Sequence, residues 1–230
     1  MNGTAIVTGG TGGLGVAVVE ELLAAGWRVV VPWFHEKELS RLPDEPRLEP
    51  VQADLSRPDD ASAVVARAAG GPDAPLRAVV NLVGGFGIGG RVHETPVEEF
   101  EDLIRLNLRP LYLTTQAALP ELIAGGGGSV VCVSSRAAVR PYPGAAGYVT
   151  GKAAVLALAD ALATEYKKDG VRVNTILPSV IDTPGNRAAQ PGADYSNWVA
   201  PARVARVIRF LVEDTSDAVS GAHIPVYGNA

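Results

Sequence analysis

The chain has 230 residues, 47% of them hydrophobic and 20% charged, the balance of an ordinary globular protein rather than a disordered or fibrous one. Its net charge of −5, without a basic patch, argues against duplex nucleic acid or an anionic membrane surface as a partner. One cysteine, Cys132, excludes an internal disulfide framework and fits a reducing, cytoplasmic compartment.

Residues 1–8 lack the basic and apolar regions of a signal peptide, and no apolar run approaches the roughly 18 residues of a bilayer span. Short apolar runs at 5–7, 29–31, 48–53, 78–80, 130–133, 171–173 and 224–226 read as seven strands. Helical patterns lie between them at 13–25, 58–69, 97–123, 147–168 and 201–213, with a weaker one near 36–42. Continuous Val/Ile-rich strands are buried on both faces, as in a parallel sheet covered by helices. The alternation predicts one α/β domain over 1–230: doubly wound, with a seven-stranded, mostly parallel sheet and helices on both faces. The glycines at 125–128 and the segment 70–75 read as turns rather than linkers. Cys132, inside a valine run, reads as a buried strand residue. His35, His93 and His223 stand singly, so no metal site is expected.

The first strand runs into Thr8-Gly9-Gly10-Thr11-Gly12-Gly13-Leu14-Gly15, and a helix follows. Glycines here permit a tight turn and let backbone amides and a helix N-terminus approach a pyrophosphate. A Rossmann-like dinucleotide site is therefore expected, with Gly9, Thr11, Gly13, Leu14 and Gly15 as its loop contacts. The ribose-reading position at the end of the second strand falls on Trp33, where neither an acid nor an arginine stands. That missing carboxylate, with His35, Lys37 and Arg41 close by in sequence, leans the cofactor from NAD(P) in general toward NADP(H).

Tyr148 and Lys152 are four apart on a helical pattern and share one face. An ammonium beside a phenol favours the phenolate and draws the tyrosine pKa down, so that Tyr148 can exchange a proton with a developing alkoxide.

With these motifs in place the chain resembles the short-chain dehydrogenase/reductase family over essentially its full length. The glycine loop is similar to the family's cofactor loop, Asp54-Leu55 to its adenine-contacting pair, and Asn81-Leu82-Val83-Gly84 to its Asn-Asn-Ala-Gly motif with two positions replaced. Pro178 to Thr183 resembles Pro-Gly-x-Val-x-Thr, with Ser179 in the glycine position. The resemblance implies that Asn81, Val83, Gly84, Pro178, Ile181 and Thr183 contact the cofactor, as do Tyr148 and Lys152. It also implies a catalytic set: Tyr148 as general acid/base, Lys152 lowering its pKa and holding the nicotinamide ribose, Ser135 bonding the substrate oxygen, and Asn107 supporting a proton path. Ser135 lies thirteen residues before the tyrosine (148 − 135), and Ser134 is its neighbouring alternative. Taken singly, Asn107 also fits a helix residue satisfying backbone, and Ser135 a strand-end turn former.

Residues 182–198 and the glycines at 84–87 also resemble dihydropteridine reductase and its bacterial relatives, which implies a possible pteridine substrate. That enzyme has an acidic ribose reader and lacks the serine, whereas this chain has Trp33 and Ser135. Phe86, Tyr142, Tyr195 and Trp198 are candidates for an aromatic substrate-pocket wall, and Arg136, Arg140 and Arg187 for contacts to an anionic group. Apolar Leu111, Leu113, Leu156 and Leu158 exceed one narrow stripe on their helices, and in the resembled family these helices pair between subunits, which implies a homodimer or homotetramer. The expected protein is an NAD(P)-dependent oxidoreductase working on a carbonyl or alcohol carbon of a small molecule. A cofactor-binding regulator without turnover is the competing class.

Overall fold

Thr4–Thr8 forms strand β1 with every side chain buried, the pattern of a strand covered on both faces. The computed structural model describes residues 3–71 and 74–229. It sets β1 in a sheet with β2 (Arg28–Trp33), β3 (Leu48–Gln52), β4 (Leu76–Asn81), β5 (Gly128–Val133), β6 (Val171–Pro178) and β7 (His223–Val226). The strand order is β3-β2-β1-β4-β5-β6-β7, and every neighbouring pair is parallel, where the sequence reading asked only for a mostly parallel sheet. Of the turn expected at 70–75, positions 72 and 73 lie outside the described residues.

Helices cover both faces. They are α1 (Gly15–Ala24), α2 (Pro58–Ala69), α3 (Val97–Ala124), α4 (Ala146–Glu165), α5 (Pro184–Ala189) and α6 (Pro201–Val212). Side chains alternate along β1, so Ala5 and Val7 pack with Val18, Leu22, Ile208 and Leu211 of α1 and α6. Ile6 points the other way, into a core with Val64, Leu122 and Val155 of α2, α3 and α4. Each such side chain contributes roughly 1.5–3 kcal/mol by leaving water. The neighbours of β1 are β2 on one side and β4 on the other, so the chain reverses its winding there. Open parallel sheets bind ligands outside the carboxyl ends of the strands at such a point.

Gly147 and Gly151 are four apart on α4 and set its distance from α3. A Cβ on either would stand 3.1 or 3.2 Å from atoms of Leu103. Tyr148 and Lys152 each follow one of these glycines, so the close helix contact fixes their positions.

Four expectations need correcting. Leu111 and Leu113 are buried in the protein's own core, at 3% and 8% exposure, because α3 turns them toward the sheet. The exposed large apolar residues of that helix are Val97, Leu106, Tyr112 and Ile123. Helix α4 has the length and hydropathy of a bilayer span, contrary to the reading that no run did, yet it packs on α3 and β6 and buries Lys152. Its α-helical part ends at Glu165, and a 3-10 turn, Lys167–Asp169, follows. The stretch 184–200, for which the sequence shows no helical pattern, holds α5 and a 3-10 turn at Tyr195–Asn197.

Candidate active site

The loop between β1 and α1 is built for close backbone approach. Gly9 has φ +66°, in the left-handed region that glycine adopts without strain. Its carbonyl accepts from Gly12 N at 3.0 Å. A Cβ on Gly15 would stand 2.0 Å from that same carbonyl oxygen, so only glycine lets α1 start here. A Cβ on Gly13 would meet Thr183 at 2.7 Å, which puts the segment after β6 directly over the loop. Leu14 precedes α1 with no side-chain cap, and an uncapped helix start offers its amides to an anion. The Thr8 hydroxyl accepts from Leu82 N at 3.1 Å and Val83 N at 3.4 Å, tying the turn after β4 to the end of β1. This bare cradle, closed by Thr183, fits the pyrophosphate of a dinucleotide.

The remaining cofactor candidates fall into two groups. Trp33 ends β2, half-buried, and lines an open hollow of about 620 Å³ with Phe34, His35 and Gln52. Pro178 ends β6 beside Val226, Ile181 pairs with Val199, and the Thr183 hydroxyl accepts from Asn186 N at 3.2 Å as the cap of α5. Those residues edge the cleft. Others face inward. Leu55 is 7% exposed and packs in the core, which leaves only its backbone for a ligand. Asn81 turns toward α3, where its Nδ2 donates to Thr115 Oγ1 at 3.1 Å. The Asp54 carboxylate, by contrast, is partly open to solvent; it accepts from Ser56 N at 2.9 Å, and hydrogen bonding to Ser56 holds its pKa below the ordinary carboxylate value.

Ser135, Tyr148 and Lys152 meet where β5 ends against α4. Ser135 leaves the strand in extended backbone, and its Oγ accepts from Ala137 N at 3.1 Å, so it is also a turn former. The Ser135 side chain lies within hydrogen-bonding reach of the Tyr148 phenol. Burial pushes the Tyr148 pKa up, and Ser135 offsets part of that rise. The lowering expected from Lys152 is absent from this arrangement, because the ammonium is aimed elsewhere: Nζ donates to Val133 O at 3.0 Å. Lys152 is 6% exposed, and burial pulls its pKa from 10.5 to about 8. Below it the Cys132 thiol, also buried, is pushed up to about 12, which suits the inert strand residue expected there.

The two adjacent serines divide the work. Ser134 is buried, and its Oγ donates to Lys152 O at 2.7 Å, clamping α4 to β5. That leaves Ser135 for the cleft. Asn107 is 1% exposed and pairs with the backbone of Gly85 in both directions, donating to its O at 3.0 Å and accepting from its N at 3.2 Å. It also donates to Leu103 O at 2.8 Å, so the backbone-satisfying role is real. Gly84 lies between the two: a Cβ there would stand 2.6 Å from Asn107 Oδ1 and 3.0 Å from Lys152 Nζ.

Of the pocket-wall candidates, Phe86 lays its ring edge-on against Tyr148, with centroids 5.3 Å apart. Tyr142 is close enough to Tyr148 for the two phenols to repel, which adds to a rise in its pKa that burial dominates. Trp198 packs instead on Tyr195, 4.6 Å between centroids. Arg187 is taken up by Asp182, at 2.5 and 2.8 Å, and by the Tyr195 ring. Sequence reasoning missed the Val133 carbonyl, the Ser134 clamp, the Gly147/Gly151 contact and the hold of Glu38 on Thr11, whose Oγ1 donates to its carboxylate at 2.9 Å.

The family model described as short chain dehydrogenase matches residues 3–194. The 4-formylbenzenesulfonate dehydrogenase of Comamonas testosteroni is 32% identical, covering 97% of this chain and 96% of that one. The 2-(R)-hydroxypropyl-CoM dehydrogenase of Xanthobacter autotrophicus is 29% identical, covering 99% and 98%. Among solved structures, a short-chain type dehydrogenase/reductase from Mycobacterium ulcerans superposes with a TM-score of 0.91 at 28% identity, over 98% of this chain and 88% of that one.

Proposed function

The chain belongs to the short-chain dehydrogenase family and is an oxidoreductase acting on alcohol or carbonyl groups; from that premise we propose that Tyr148, Lys152, Ser135 and Asn107 form its catalytic centre. The observation that carries the proposal is the meeting of Ser135, Tyr148 and Lys152 at one strand end, beside a glycine cradle that a Cβ would fill. A bound nicotinamide cofactor supplies or accepts the hydride. Tyr148 gives its phenolic proton to the substrate oxygen in reduction and takes it back in oxidation. Ser135, within hydrogen-bonding reach of that phenol, orients the same oxygen. Lys152, released from the Val133 carbonyl, brings a positive charge that favours the phenolate. Asn107 positions Gly84 and Gly85 at the cleft wall.

The loop residues Gly9, Thr11, Gly13, Leu14 and Gly15, with Gly84, Pro178, Ile181 and Thr183, would hold the dinucleotide. Phe86 and Tyr142 form the substrate wall. Trp198 packs on Tyr195 in the segment after α5. Ser135 against Tyr148 favours a simple ketone, aldehyde or alcohol over a pteridine. We expect a homodimer or homotetramer working in the cytoplasm. The test is oxidation of NADH and NADPH against a panel of ketones, aldehydes and pteridines. Cofactor binding without turnover on any of them would favour the regulator instead.

A further inference from the structure

We propose that Glu38 is the carboxylate that reads the adenosine ribose, and that the chain therefore selects NAD(H) over NADP(H); this rests on the reading above that the glycine loop holds a dinucleotide. The sequence reading leaned the other way because Trp33 leaves the strand end without an acid. The fold supplies one from further along. After β2 the chain folds back as a 3-10 turn, Glu36–Arg41, against the glycine loop. Thr11 Oγ1 donates to Glu38 Oε2 at 2.9 Å, and Arg41 Nη1 donates to Thr11 O at 3.1 Å. Thr11 is 4% exposed, so its hydroxyl is enclosed between loop and turn. The Glu38 side chain keeps 27% of its surface open.

That edge decides the chemistry. The ribose of a dinucleotide lies between the loop after β1 and the end of β2. A 2′-hydroxyl is a donor, and a carboxylate accepts it. A 2′-phosphate offers acceptors and negative charge, so the same carboxylate repels it. Arg41 does not reverse this balance. Its guanidinium lies 3.6 Å from Glu38 Oε1 and is bonded to the Thr11 carbonyl, leaving the pair neutral where a phosphate needs excess positive charge. Lys37 and Glu36, which line the neighbouring hollow, also offset each other.

Isothermal titration of the full chain with NADH and with NADPH tests the assignment without relying on turnover. Wild-type protein should bind NADH at least about tenfold more tightly, about 1.4 kcal/mol. Glu38→Gln should shrink that ratio at least about tenfold, mainly by tightening NADPH, and Glu38→Asp, which keeps the charge, should preserve the preference. Equal or tighter binding of NADPH by the wild type would overturn the proposal, as would an unmoved ratio in a Glu38→Gln protein with wild-type melting temperature. Binding of neither cofactor at millimolar concentration would overturn the oxidoreductase reading along with it, whereas indiscriminate binding of both would sink the Glu38 assignment alone.

Discussion

Replacing Lys152 with methionine should stabilise the fold while removing turnover. The side chain is 6% exposed, and burial lowers its pKa from 10.5 to about 8. That fall corresponds to roughly 3 kcal/mol of preference for the neutral form. Below about pH 8 the lysine is charged both folded and unfolded, and the folded state bears the whole cost. Between about pH 8 and 10.5 the folded lysine is neutral while the unfolded one still binds a proton, so stability rises with pH; above that the cost is gone. Methionine keeps most of the stem's volume and removes the charge, but it strands the Val133 carbonyl, now bonded at 3.0 Å, at a cost of about 1–3 kcal/mol. The net expectation is a gain of about 1–2 kcal/mol near pH 7. Near pH 10 the wild-type penalty has shrunk below about 1 kcal/mol and the gain should vanish. Urea unfolding of both proteins at the two pH values measures this, with equal m-values as the control. A variant less stable than wild type by more than about 1 kcal/mol near pH 7, or a difference that ignores pH, would refute the reasoning. A buried cation retained at a net cost is what a functional site is expected to contain.

Tyr148→Phe keeps the ring against Phe86 and removes only the hydroxyl. It should lower kcat at least about 10²-fold with cofactor affinity intact, and more than about a tenth of wild-type kcat would end the acid/base assignment. The serines should separate cleanly. Ser135→Ala should lose kcat by a similar factor, while Ser134→Ala, which gives up the buried bond to the Lys152 carbonyl, should leave kcat far less changed and cost about 1 kcal/mol in urea unfolding; a reversed pattern in kcat would mean the roles are exchanged. Light scattering at micromolar protein should give a dimer or tetramer mass, with Leu106 and Tyr112 among the apolar residues the chain leaves uncovered on α3. A monomeric mass would refute that expectation.

Most of the fold was legible because its signals are periodic. The helix read at 58–69 is the one found, and each apolar run became a strand; the central ones were plainest, since a two-sided parallel strand shows in the sequence as a run of Val and Ile, while the edge strands β3 (LEPVQ) and β7 (HIPV) are only partly buried. Tyr148 and Lys152 were legible through their spacing of four on a helix that the apolar pattern defined independently. The direction in which the Lys152 ammonium points was not, because its partner is a backbone carbonyl, which every residue carries. Ser134 and Ser135 are adjacent, and only strand geometry tells which faces the cleft. Helix α5 carried a cap signal, Thr183 followed by Pro184, but six residues are too few to show an apolar period. Glu38 and Thr11 are 27 apart in sequence, and no local pattern links them.

The wholly parallel sheet has a kinetic consequence. Neighbouring parallel strands must be joined by a crossover, so each ladder closes a long loop before it gains any contact; β1 meets β4 by pairing Ala5 with Ala78. Folds dominated by such distant pairings assemble slowly. The dinucleotide cradle is the extreme case, since its floor at Gly13 and its cover at Thr183 come from opposite thirds of the chain. Helical signal in refolding should therefore recover ahead of dinucleotide affinity, because the cleft exists only once β6 and the segment after it have docked onto a sheet already formed.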